Sequence, residues 1–191
     1  MAFSRCVLRL LPVFLALAIP GHALAVGGSY VSDGGTARER AQVRAALDVS
    51  AFDWNAVRAT VRIHVRTGAQ SRSTPGQIWL DARLLDRGRY SWGFVQHEYA
   101  HQVDFHDLST SQRSVLLGRL GGKEWWWGKV GLAHRDHGCE RFASTLAWAY
   151  WPSKDNALRP HSRRDESGAL APAPFRQLLQ RMMGRMADFH R

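Results

Sequence analysis

The chain has 191 residues, 45% apolar and 22% charged, which is enough to bury one core and unlike a disordered or fibrous composition. Its formal charge is +10, nearly all of it arginine, since lysine occurs only at positions 123, 129 and 154. Two cysteines, Cys6 and Cys139, exclude a disulfide scaffold.

The first stretch reads as a secretory signal peptide. Arg5 and Arg9 precede an apolar run over 10–19, and Ala23-Leu24-Ala25 supplies a small-x-small cleavage pattern. The run is short for a membrane span. The expectation is a signal peptide over 1–25 and a single mature domain over 26–191. That domain would lie outside the cytoplasm, with no transmembrane helix. The remaining arginines are scattered. That predicts at most weak association with anionic surfaces and no specific nucleic-acid binding.

Residues 27–35, rich in glycine, read as a flexible lead-in. Thr36 can cap a helix to about Asp48 with Val43, Ala46 and Leu47 on one side. VRIHVR, from Val61, alternates strictly and predicts a half-buried strand. TGAQSRSTPG reads as a loop and GQIWL as a second strand. Ser91 is a candidate N-cap for a helix over 92–105. Ser109 and Gln112 form a capping-box pattern opening a helix to Leu120. GGKEWWWGKVG is an aromatic loop. CERFASTLAWAYW predicts a helix that stops at Pro152, and 152–174 a long loop. A last helix over 175–189 sets Phe175, Leu178, Leu179, Met182, Met183 and Met186 at core spacing.

The chemistry concentrates in HEYAH. His97 and His101 stand four apart and share one helix face, so two imidazoles can reach one Zn²⁺. Glu98, at the edge of that face, can take a proton from a water and pass it to a leaving amine. Nine histidines and five glutamates in 191 residues give a chance match in about 1% of such chains, so metal binding is the favoured reading. Buried without partners, these residues would be costly.

Hydrolytic zinc needs a third protein ligand and an open position. Two carboxylates compete. Asp107 lies ten residues after His97, but Asp104 occupies the place of the glycine that would let the chain leave the helix. Glu140, in the first turn of the ERFAS helix, is preferred. His134 and His137 lie just before it. His137 is the candidate for stabilising an oxyanion, with Tyr99, Tyr150 or an arginine as alternatives.

HEYAHQVD followed at a distance by ERFAS resembles the gluzincin zinc metallopeptidases. The likeness is to the minigluzincins and to the HExxHxxD subset that includes Mlc titration factor A and anthrax lethal factor. It covers roughly 77–151. It implies a small α+β, zincin-like domain with an active-site helix packed under a short mixed β-sheet and further helices. It implies His97, His101 and Glu140 as zinc ligands, Glu98 as general base, a peptide or protein substrate, and GQIWL as the strand lining that substrate. Ser144 stands where thermolysin-like relatives carry an aspartate that orients a histidine. Serine can accept the same hydrogen bond, and Asp104 can serve the same end. The competing expectations are a zincin-fold protein that cleaves cell-wall amide bonds or is inactive, and a basic surface-binding protein.

Overall fold

A computed structural model describes residues 28–127 and 130–184. The proposed signal peptide and Met186 lie outside them. Among the described residues the fold is mixed α/β, with six helices and a four-stranded mixed sheet, consistent with the α+β expectation. No described helix is long and apolar enough to cross a membrane.

The order along the chain is β1 (Tyr30–Gly34), α1 (Ala37–Asp48), β2 (Val61–Arg66), β3 (Arg72–Thr74) and β4 (Gln77–Asp81). Then come α2 (Ala82–Leu85), α3 (Trp92–Asp107), α4 (Thr110–Leu120), α5 (Gly138–Tyr150) and α6 (Pro172–Met183). Across the sheet the order is β1-β2-β4-β3. β1, β2 and β4 run parallel, and β3 returns antiparallel to β4.

Two strands differ from the sequence expectations. The lead-in contains β1, whose main chain pairs with β2 from Tyr30↔Val61 to Gly34↔Val65. Within TGAQSRSTPG lies β3, held against β4 by Thr74↔Gln77 and Ser73↔Ile78. The turn between them is Pro75-Gly76, with Gly76 at φ +74, as expected where proline leads a tight turn and glycine follows it. GQIWL is therefore an interior strand with a neighbour on each side, and β3 is the edge.

Alternation explains the layering. Val61, Ile63 and Val65 of β2 and Ile78 and Leu80 of β4 are buried, while Arg62 and Arg66 face water. Val43, Ala46 and Leu47 of α1 join them in the core. α1 opens with a full capping box, Thr36 with Glu39, and α4 with another, Ser109 with Gln112. Ser91 does not cap α3; its hydroxyl donates to the Gly88 carbonyl at 2.7 Å, closing a 3₁₀ turn ahead of the helix.

α3 is the central helix, buried at most positions from Gly93 to Asp104. Gln96, Gln102 and Asp104 each have specific partners, which is what lets them be inside. Gln96 donates to the Ala46 carbonyl at 2.6 Å, fixing α3 to α1. Gln102 accepts from Gly76 N at 2.7 Å and donates to Thr74 O at 2.9 Å, clamping the β3–β4 turn. Asp104 accepts from Arg113 at 2.7 Å and from the Trp125 indole at 3.0 Å. α6 begins at Pro172, earlier than expected, and buries Phe175, Leu178 and Leu179. Met182 and Met183 pack beside them, half-buried.

Candidate metal centre

α3 and α5 meet with their functional residues face to face. His97 and His101, one turn apart on α3, point their Nε2 atoms to within 3.2 Å of each other. Glu140 sits in the first turn of α5. Its Oε2 lies 3.1 Å from His97 Nε2 and 3.4 Å from His101 Nε2. All three residues are buried.

Close packing at the start of α5 brings Glu140 there. Glu124 bridges His137 as a short parallel pairing, and the carbonyls of Glu124 and Trp125 accept from Gly138 N and Cys139 N at 2.7 and 3.1 Å. Main chain therefore satisfies the first two N–H groups of the helix, with no side-chain cap. A Cβ at Gly138 would stand 2.5 Å from the Trp125 ring, so only glycine admits this approach.

The geometry fits a small cation. Tetrahedral ligands bonded at about 2.0–2.1 Å stand about 3.3–3.4 Å apart. The observed separations of 3.1, 3.2 and 3.4 Å match one face of such a tetrahedron. Two imidazole nitrogens and a carboxylate oxygen crowded together in a buried site are costly unless protons or a cation lie between them. Burial alone would lower the His97 pKa, but the Glu140 hydrogen bond and the charges of Glu98, Glu140 and Glu166 outweigh it and raise it. Burial would raise that of Glu140, but His101 and His97 hold it well below the usual carboxylate range.

The three ligand candidates open onto a cleft of about 460 Å³. Glu98 lines it, and the Ser73 hydroxyl of β3 lies 2.8 Å from both Glu98 Oε2 and the Glu98 carbonyl, holding the side chain against its own main chain. Gln70 to Ser73 form one wall, so the outer edge of β3 faces the opening. The aromatic loop forms the other. Trp125 points inward to Asp104, Trp126 stacks on Phe105 at 5.7 Å, and Trp127 donates to Glu140 Oε1 at 2.7 Å. With Oε1 occupied by the indole, Oε2 is the oxygen turned to the histidines.

The other expected residues lie elsewhere. Asp107 is not brought to the histidines. Its carboxylate is buried without a hydrogen bond, 3.8 Å from Arg58, and burial raises its pKa. His137 does not line the cleft. It is buried under Trp127, ring centroids 4.2 Å apart, because the Glu124 pairing holds its main chain against the loop. Tyr99 and Tyr150 are buried in the core, away from the cleft lining. His134 does line the cleft, and its Nε2 approaches Glu140 Oε2 at 3.2 Å. Its pKa is raised, chiefly by the hydrogen bond between Nδ1 and Glu166 at 2.6 Å.

Sequence reasoning missed Ser73, Trp127 and Glu166 as members of this site. Only Trp127 carried a signal, as part of the WWW run; a serine in a polar loop and a glutamate in a long one carry none. Ser144, flagged by its spacing from Glu140, does face His97, with its Oγ 3.0 Å from Nδ1. Asp104, flagged with it, is turned to Arg113 and Trp125. Compared with protein-family models, characterised proteins and solved structures, the chain matches none.

Proposed function

We propose that the chain is an exported zinc metallopeptidase built on a zincin-like domain. The observation that carries this reading is the convergence of His97, His101 and Glu140 within 3.4 Å of one another, at the floor of a cleft that also holds Glu98. Zinc, when bound, supplies the Lewis acidity that makes water a nucleophile at neutral pH and polarises a carbonyl. Every other part of the chemistry falls to side chains of this chain. The free edge of β3 offers main-chain groups to an extended peptide. Glu98, oriented by Ser73, takes a proton at its carboxylate and delivers it to the departing amine. His134, on the cleft side of Glu140 and carrying a proton on each ring nitrogen, gives Nδ1–H to Glu166 and donates from Nε2 to the oxyanion, the role expected of His137.

A second reading has one observation in its favour. Trp126 and Trp127 are 40% and 53% exposed beside the cleft, and flat apolar surfaces of this kind also pack against sugar rings. An amide bond in a cell-wall polymer would use the same catalytic groups.

The test is Glu98→Gln in the full chain, assayed on an unbiased peptide mixture. The variant is expected to keep one zinc and lose hydrolysis by about 10²-fold or more. Full activity in the variant would overturn the mechanism. Zinc-dependent release from cell-wall polymer alone would favour the second reading.

A further inference from the structure

The loop between α5 and α6 ends in a short 3₁₀ turn, Glu166–Gly168. Glu166 reaches two histidines from it. Its Oε1 is 2.6 Å from His134 Nδ1. Its Oε2 accepts from the Ser144 hydroxyl at 3.0 Å, and that hydroxyl in turn lies 3.0 Å from His97 Nδ1.

The donor arithmetic has one economical solution. Ser144 has a single hydroxyl proton and spends it on Glu166, so it meets His97 as an acceptor. His97 Nδ1 then carries a proton, and its Nε2 presents a lone pair towards His101 and Glu140. Glu166 is acceptor-only as a carboxylate, so His134 Nδ1 also carries a proton. One carboxylate thus fixes the ring orientation of two histidines. One of them has its far nitrogen in the ligand cluster, and the other has its far nitrogen on the cleft side.

The turn is built to hold that carboxylate still. Asp165 Oδ2 accepts from the main-chain N–H groups of His161 and Ser162 at 2.6 and 2.9 Å. Ser167 donates to the Leu158 carbonyl, and Thr145 of α5 donates to the Glu166 carbonyl at 3.3 Å. The loop is anchored to α5 on one side and to itself on the other.

We propose that Glu166 is a positioning residue that sets His97, through Ser144, for metal binding and sets His134, directly, for the substrate. The long loop is then part of the metal centre. This rests on the zinc reading above, and its own failure is distinguishable from failure of that reading. Outer hydrogen bonds to a ligand histidine are worth about 10–100-fold in metal affinity.

Zinc dissociation constants would be measured on the full chain by competition with a chromophoric chelator. The comparison is of wild type with Glu166→Gln, Ser144→Ala and the double variant. Glu166→Gln and Ser144→Ala are each expected to bind zinc about 10–100-fold more weakly, with unchanged melting of the metal-free protein. Because they act in series on His97, the double variant is expected to lose no more than the worse single. His134→Ala is expected to keep zinc affinity within about twofold and lower kcat for peptide. If Glu166→Gln does not fold, Ser144→Ala decides the His97 arm and His134→Ala the other. Wild-type zinc affinity in Glu166→Gln, or losses that multiply in the double variant, would overturn the inference. No zinc in the wild type would overturn the zinc reading itself, and this inference with it.

Discussion

Two histidine–carboxylate clusters among the described residues differ in where their unused lone pairs go. On the open face of the sheet, His64 Nδ1 sits 2.6 Å from Asp33 and its Nε2 sits 3.1 Å from Gln77, while the ring stacks on Trp79. Arg66 takes the same Asp33 oxygen at 2.9 Å. Hydrogen bonds from Arg66 and then His64 hold Asp33 below the usual carboxylate range. Each nitrogen of that histidine has its own partner, so nothing is left over. Between α3 and α5 the reverse holds. The outer nitrogen of His97 is paired with Ser144, and its inner nitrogen shares one small space with His101 Nε2 and Glu140 Oε2. Short contacts alone do not distinguish a site from a surface pair; convergence of atoms that would otherwise share no proton does.

The comparison breaks most readily at Glu140. Glu140→Ala is expected to weaken zinc binding by about 100-fold or more, since it removes a ligand, whereas Asp107→Ala changes it by less than about twofold. Equal effects in chelator competition would put the third ligand back in doubt. Chelation comes next. A protein saturated at about 100 times the dissociation constant gains about 2.7 kcal/mol from its ligand, so stripping the metal is expected to lower the melting temperature by several degrees. An unchanged melt, followed by scanning calorimetry, would mean the cluster holds no ion. Ser73→Ala is expected to reduce kcat about 10-fold with zinc content intact, because it frees the Glu98 carboxylate without touching a ligand. The smallest effect belongs to His64→Gln. It is expected to leave zinc affinity and hydrolysis within about twofold, and a larger change would show that the sheet face and the cleft are coupled.

The parts of this arrangement that were legible in the sequence are those written into one short segment. HEYAH declares itself because the helix repeat puts both histidines on one face, and ERFAS because Glu140 opens a second helix. β2 was legible through alternation and β4 as a short apolar run after a turn, α1 through the Thr36 cap and its apolar spacing, and α4 through its capping box. β1 was not, because its side chains are mostly exposed and its order comes from main-chain pairing with β2. β3 was not, because three polar residues carry no pattern and the partner strand lies beyond a turn. Glu166 was hidden for a related reason. Its partners stand 22 and 32 residues away, and only the packed α5 brings them within reach. That His134 and not His137 lines the cleft depends on which side of the loop the main chain pairs, a matter three residues of sequence do not encode.

Gln102 follows His101 directly, yet its amide grips the Pro75-Gly76 turn. The helix that carries the histidines and the hairpin that carries Ser73 are thereby locked in step. A single residue inserted in that turn would slip β3 against β4 and send every side chain of the edge strand to the opposite face. Ser73 would turn away from Glu98 while His97, His101 and Glu140 stayed together. Under the proposed zinc reading, the length of one two-residue turn therefore separates a chain that merely holds an ion from one that can use it.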